Sequence, residues 1–154
     1  MYLIDYVEDS FTVTNGEATA INVAVTVAYK YELLNDGNTF VENITQDINA
    51  GTSTYEQVLT VALKKQTKAS AQELALVVKA RPVVVVQDRQ GNYLVCGISD
   101  GTSNSGDINS GGAKADFNGY NLTFTAIETS PAPYLDSATV TAFLGIVSGT
   151  NVSP

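Results

Sequence analysis

Residues 21–31 alternate without a fault. Ile21, Val23, Val25, Val27, Tyr29 and Tyr31 are separated by Asn22, Ala24, Thr26, Ala28 and Lys30. Successive side chains on a strand point to opposite faces, so this period of two predicts one long β-strand with a strongly apolar face. Upstream, Phe11-Thr12-Val13-Thr14 runs into Asn15-Gly16, a strand leading into a turn. Downstream, Asn35-Asp36-Gly37-Asn38 is turn chemistry. Residues 39–48 then read as the returning strand. Gly51 breaks the pattern, and residues 54–65 hold another strand with Leu59, Val61 and Leu63 on one face.

A helix is expected at about residues 70–81. Ser70-Ala71-Gln72-Glu73 is a capping box, in which hydroxyl and carboxylate each reach the other's backbone N–H. Ala71, Leu74, Ala75 and Val78 make an apolar stripe, and Pro82 stops the helix. Val83-Val84-Val85-Val86 shows no alternation, which predicts a strand buried on both faces, one of them against the helix. Asp88-Arg89-Gln90-Gly91-Asn92 is a tight hairpin loop with Gly91 suited to positive φ, and 93–98 is the return strand. Residues 99–119 are rich in Gly, Ser and Asp and read as one long loop. Tyr120 to Thr125 alternates again, with Asn and Thr rather than charges on its polar face, as expected of a face covered by a neighbour. After Pro131-Ala132-Pro133, the tail at 134–154 is either a final strand or an arm laid on a neighbouring subunit. The fold class is therefore mainly β: a β-sandwich or barrel with one short flanking α-helix and long hairpin loops. At 154 residues the chain suits a single domain.

Composition bounds the chemistry. Charged residues make up 16% against the usual ~25%, and Thr, Ser, Asn and Gln replace many of them. Such side chains suit protein–protein contacts, where an unpaired charge is expensive. The net charge of −8 repels phosphates and argues against a nucleic-acid-binding module. The densest basic stretch, Lys64-Lys65-Gln66-Thr67-Lys68, reads as a solvated strand end. Without histidine the chain lacks the commonest metal ligand and the commonest general base, and the single Cys96 reads as an inert strand thiol. The N-terminal run reads as no signal peptide, and no stretch reaches the ~18 apolar residues of a membrane span.

Three patterns bear on possible chemistry. Asp100, Asn104, Asp107, Asn109 and Asp116 supply oxygen ligands for calcium, but their spacing matches neither the EF-hand loop nor the Gly-Gly-x-Gly-x-Asp repeat. Glu56, Glu73, Asp88 and Glu128 are the candidate carboxylates for glycoside hydrolysis, yet nothing marks a pair and the chain has no Trp to stack on sugars. Gly111-Gly112-Ala113-Lys114 lacks the spacing of a phosphate loop. The expectation is a protein that is not an enzyme and binds no cofactor and no metal.

A resemblance sharpens this. Val83-Val84-Val85-Val86-Gln87-Asp88-Arg89-Gln90-Gly91-Asn92-Tyr93-Leu94-Val95-Cys96-Gly97 is followed by the Gly/Ser/Asp loop. Then come Asp116-Phe117-Asn118-Gly119-Tyr120-Asn121-Leu122-Thr123-Phe124-Thr125 and Pro131-Ala132-Pro133. This order resembles small virion structural proteins of tailed phages and prophages of Bacteroidetes-type gut bacteria. More distantly it is similar to tail tube and tail ring proteins of tailed phages. The resemblance covers about residues 54–135, and its motifs are structural. It implies a subunit, made in the bacterial host cytoplasm and located in the virion tail or neck, that assembles with copies of itself into a ring or tube. Its partners would be other tail or neck proteins and DNA passing without specific binding, with no membrane. The interface residues it points to are Asp100, Asn104, Ile108 and Lys114 in the long loop, with Phe117, Tyr134 and Phe143. The alternatives are a capsid decoration or head-completion protein, and a monomeric carbohydrate- or calcium-binding β module. An immunoglobulin-like label rests on architecture alone, since its Cys…Trp…Cys signature cannot exist here.

Overall fold

The computed structural model describes residues 1–33, 37–64, 72, 75–77, 79–113 and 116–151. Along the chain these form β1 (Tyr2–Ile4), β2 (Phe11–Thr14), β3 (Glu17–Ile21), β4 (Ala28–Tyr31), β5 (Thr39–Asp47), β6 (Thr52–Lys64), β7 (Val83–Gln87), β8 (Tyr93–Cys96), β9 (Ser103–Asn109), β10 (Gly119–Glu128), β11 (Tyr134–Leu135) and β12 (Val147–Asn151), with a C-terminal helix at Ser137–Gly145. The strands make an eight-stranded sheet, ordered β12-β4-β1-β7-β8-β11-β3-β2, and a four-stranded sheet, ordered β5-β6-β10-β9. The architecture is mainly β and sandwich-like, as the alternating segments predict.

The valine run holds the layers together. Val84 and Val86 join Leu3 and Cys96 of the large sheet to Leu59, Val61, Leu63, Tyr120, Leu122 and Phe124 of the small one. Val83 and Val85 face the other way, into a second cluster with Tyr2, Ile4, Tyr93, Val95 and Phe143. The run is buried on both faces because β7 lies inside a three-layer stack. The helix on its second face is the C-terminal one, not the expected helix at 70–81. Residues 72, 75–77 and 79 are indeed helical, and Val77 packs on the core between the sheets. Ala75, expected in the apolar stripe, is exposed. The capping pair Ser70 and Glu73, with Ala71, Leu74 and Val78, lies outside the described residues.

The longest predicted strand is the largest correction. Residues 21–31 are two strand ends joined by a crossing. Asn22 breaks the ladder: its Oδ1 accepts from the Ala24 N–H (3.0 Å) while its carbonyl accepts from the Val25 N–H (2.9 Å). A local side-chain bond of this kind competes with strand pairing. β3 ends beside β2 and β11, and β4 begins beside β1 and β12, towards opposite edges of the large sheet. The crossing buries Val25 in the second cluster and leaves Val23 95% exposed. Residues 39–48 are likewise not the return partner of that strand; β5 pairs with β6, in the other sheet.

Local turn chemistry is read more faithfully. Asn15 and Gly16 both take positive φ (55° and 83°), the pair of left-handed residues that a two-residue hairpin turn needs. Asp88 closes the β7–β8 hairpin, its Oδ1 accepting from the Gln90 and Asn92 N–H groups at 2.8 Å each, and Gly91 has φ 94°. The Asn92 side chain, and then the turn amides, hold the Asp88 carboxyl below the usual carboxylate range.

One further expectation changes, and the tail takes one of its two expected forms, a final strand, with a helix before it. The stretch 99–119 is not one loop: Ser103–Asn109 forms β9 and pairs with β10 from Gly119 to Thr125. The tail, read as a strand or an arm on a neighbour, folds onto its own chain. Asp136 caps the helix by accepting from the Thr139 N–H (2.6 Å), and Thr139 and Phe143, four residues apart, face inward. β12 then pairs in parallel with β4.

Candidate functional site

The feature that stands away from the core is the β5–β6 hairpin. Its ladder runs from Thr39↔Thr60 to Asp47↔Thr52. The third strand, β10, ends at Glu128 opposite Tyr55, so beyond that point two strands continue alone. Every residue from Asn43 to Thr54 is exposed. The sequence forms this arm from Thr and Ile, which suit strands. Asp47 closes its turn, the Oδ1 accepting from the Asn49 and Ala50 N–H groups at 2.9 and 3.1 Å. Phe40, Glu42 and Ile44 lie on the core-facing side of β5, opposite Leu59, Gln57 and Tyr55. The apolar face therefore runs off the end of the sandwich: Phe40 packs on the core, Ile44 is 68% exposed, and Ile48 in the turn is 85% exposed.

The root of the arm is clamped by a buried polar network. Gln57, almost fully buried, donates from Nε2 to Glu42 Oε1 (3.2 Å) and accepts from the Gly97 N–H (3.1 Å). Glu42 Oε1 also accepts from the Ala132 N–H (2.8 Å). Glu128 accepts from the Ser99 N–H (3.0 Å) and hydroxyl. These bonds tie the small sheet to the β8–β9 turn and to the Pro131–Pro133 segment. They leave beside Gln57, Ser99 and Glu128 a cleft of about 40 Å³, room for little more than a water. Burial, with the Glu128 and Glu42 carboxylates adding, pushes the Cys96 thiol up to about 12, so the thiolate needed for reactivity is suppressed.

The candidate carboxylates are not brought together. Glu128 serves the network on the inner face, Glu56 lies on the opposite face and accepts from the Asn43 amide (3.2 Å), and Asp88 caps its turn. Glu73 lies outside the described residues. Three of the oxygen groups weighed for calcium accept hydrogen bonds from within the chain. Asp107 accepts from the Asn121 amide (3.0 Å), Asn109 from the Gly111 N–H (2.9 Å), and Asp116 from the Gly112 and Ala113 N–H groups, which hold its carboxyl below the usual range. Among the described residues no group of three acidic or cysteine side chains is placed to hold a metal ion.

The seven expected interface residues divide. Asp100 is exposed in the turn after β8, Ile108 is exposed on the edge strand β9, and Tyr134 is half-exposed on β11. Phe117 is half-buried, and Lys114 lies outside the described residues. Asn104 is used within the chain: its amide donates to the carbonyls of Val77 and Ala80 (2.9 and 3.1 Å), fastening these two residues to β9. Phe143 is fully buried, edge-on to Tyr2 with ring centroids 5.2 Å apart, and is a core residue. The exposed Ile44 and Ile48 were missed because 39–48 reads as an ordinary strand. The signal was the run 49–54 (Asn-Ala-Gly-Thr-Ser-Thr), whose small polar residues offer nothing to bury.

On the far side of the molecule's core, Leu3, Tyr29 and Tyr31 of β1 and β4 face Leu76, Ala80 and Pro82 across an open groove of about 400 Å³. Compared with models of protein families, with curated proteins and with solved structures, the chain shows no significant match to any.

Proposed function

We propose that this protein is a non-enzymatic structural subunit that assembles with copies of itself, and that it forms a ring or tube in the tail or neck of a tailed-phage virion. The arm at residues 43–54 carries the first half of this reading. A hairpin with neither face covered is marginal in water. This one presents Ile44 and Ile48 where no layer among the described residues buries them, so another protein surface is the natural cover. The virion half of the reading rests on the sequence resemblance of residues 54–135. The net charge of −8 agrees with a wall that DNA passes without sticking.

Mass photometry of the purified chain across concentration and salt, with negative-stain images of the same samples, tests the proposal. Discrete rings or stacked tubes are expected. A species that stays at 16.3 kDa at every concentration overturns self-assembly. Binding only to capsids would move the protein to the decoration class.

A further inference from the structure

We propose that the tip of the arm docks in the 400 Å³ groove of a second copy, so that each chain is both donor and acceptor. This rests on the self-assembly reading and supplies its contact.

Three observations lead there. First, tip and groove lie too far apart to meet within one chain. Asn104 fastens the helical side of the groove to β9. Across the sheet Asn104 is level with Phe124 and Leu59. From Leu59 the strand advances about 23 Å, at ~3.3 Å per residue, before reaching Thr52 and the last ladder pair with Asp47. That pair also belongs to the opposite edge of the sheet. Second, the chemistry is complementary. Between residues 43 and 54 the charged residue is Asp47, set beside the apolar Ile48. The groove is lined by apolar groups, with Leu76 70% exposed, and the exposed Lys79 and Arg81 alternate in sequence with its lining residues Ala80 and Pro82. Among the described residues Asp5 is the acid that lines it, and Lys30 and Glu32, which flank Tyr31, pair with each other (2.9 Å), so Lys79 and Arg81 leave this side of the chain with an excess of positive charge. Third, the volume falls in the range of clefts that bury most of a drug-sized ligand, which leaves room for a turn tip carrying one isoleucine.

Donor and acceptor are different surfaces, so the contact is head-to-tail. Such a contact closes into a ring when the rotation per subunit allows and otherwise runs on as a filament. A single interface of this kind generates both assemblies named above.

The test is a thiol pair placed across the contact. Chains carrying Ile48→Cys and chains carrying Leu76→Cys, made at different masses, are mixed under assembly conditions and oxidised. Cys96 is buried and does not compete. The mixed disulfide is expected in at least tenfold excess over either like pair, and a chain with both substitutions should give a covalent ladder. Ile48→Asp and Leu76→Asp, at exposed positions, should each weaken assembly at least tenfold while the monomer unfolds at the wild-type urea midpoint. If wild type assembles but the mixed disulfide is no more abundant than the like pairs, or Ile48→Asp assembles normally, the docking is wrong and self-assembly stands. If the chain remains a single 16.3 kDa species and no disulfide forms, both are wrong.

Discussion

The two sheets divide the work of the molecule. No strand of the eight-stranded sheet exceeds five residues, whereas those of the four-stranded sheet run from seven to thirteen. The large sheet is covered at its centre on both faces, by the small sheet and by the C-terminal helix with the 22–27 crossing. The small sheet has one buried face, and its longest strand continues past the core into the arm. Short strands inside a three-layer stack maximise burial per residue. Long strands at its margin project backbone and side chains outward. Both sheets supply the core between them, and reach belongs to the small one.

The comparison breaks most readily at Phe143. Phe143→Ala should cost about 3–5 kcal/mol in urea unfolding, because its ring fills the second face of the large sheet. A cost under about 1 kcal/mol, on the same scale, would mean that face is not a true core. The next effect is on pH. The Met1 α-amino group donates to the Tyr31 carbonyl (2.8 Å), and burial, with Lys30 adding and Glu32 opposing, lowers its pKa to about 6. The unfolded amine, near 8.0, then binds more protons than the folded one between those values. Stability should fall by about 2 kcal/mol as pH drops from 8 to 6. Cys96 acts with the opposite slope. Its folded pKa of about 12 exceeds the ordinary 9.0, so stability is full below 9 and is lost as pH rises from there towards 12. Urea midpoints at pH 6, 8 and 10 should peak at 8, and Cys96→Ala should flatten the alkaline limb.

Smaller effects probe the join between the sheets and the arm itself. Gln57→Ala strands the Gly97 N–H and removes a partner of Glu42, for a cost of roughly 1–3 kcal/mol in the same urea assay. A neutral outcome would show that the network positions the arm without stabilising the fold. Ile44→Ser should change monomer stability by less than about 0.5 kcal/mol, as for other exposed positions. Its expected signature is in mass photometry, as a shift of assembly to higher concentration. A large loss of monomer stability would instead place Ile44 in an intramolecular contact.

Much of this was legible locally. Asn15-Gly16 and Asp88 to Asn92 specify their turns through φ preference and side-chain capping within a few residues. The unbroken Val83–Val86 run announced two buried faces, and Leu59, Val61 and Leu63 point inward as their alternation requires. The candidate site was far less legible. Ile44 and Ile48 look like any strand residues, and their exposure follows from the apolar face of β5 running past the layer that covers Phe40, which no property of residues 39–48 encodes. Phe143 and Asn104, in turn, look like contact residues until the core and the β9 anchor are in place.

The sequence by itself determined the β character, the faces of the central strands and the tight turns, because each depends on contacts within a few residues. The tertiary structure decided which strands became neighbours, where the perfect alternation of 21–31 was cut, and which helix covered β7. A period of two is satisfied by any apolar partner, so it selects a face and leaves the pairing open. The choice among pairings lies in the long-range burial of one face against another. That burial also settles which stretch of strand is left over, and here the remainder is the arm.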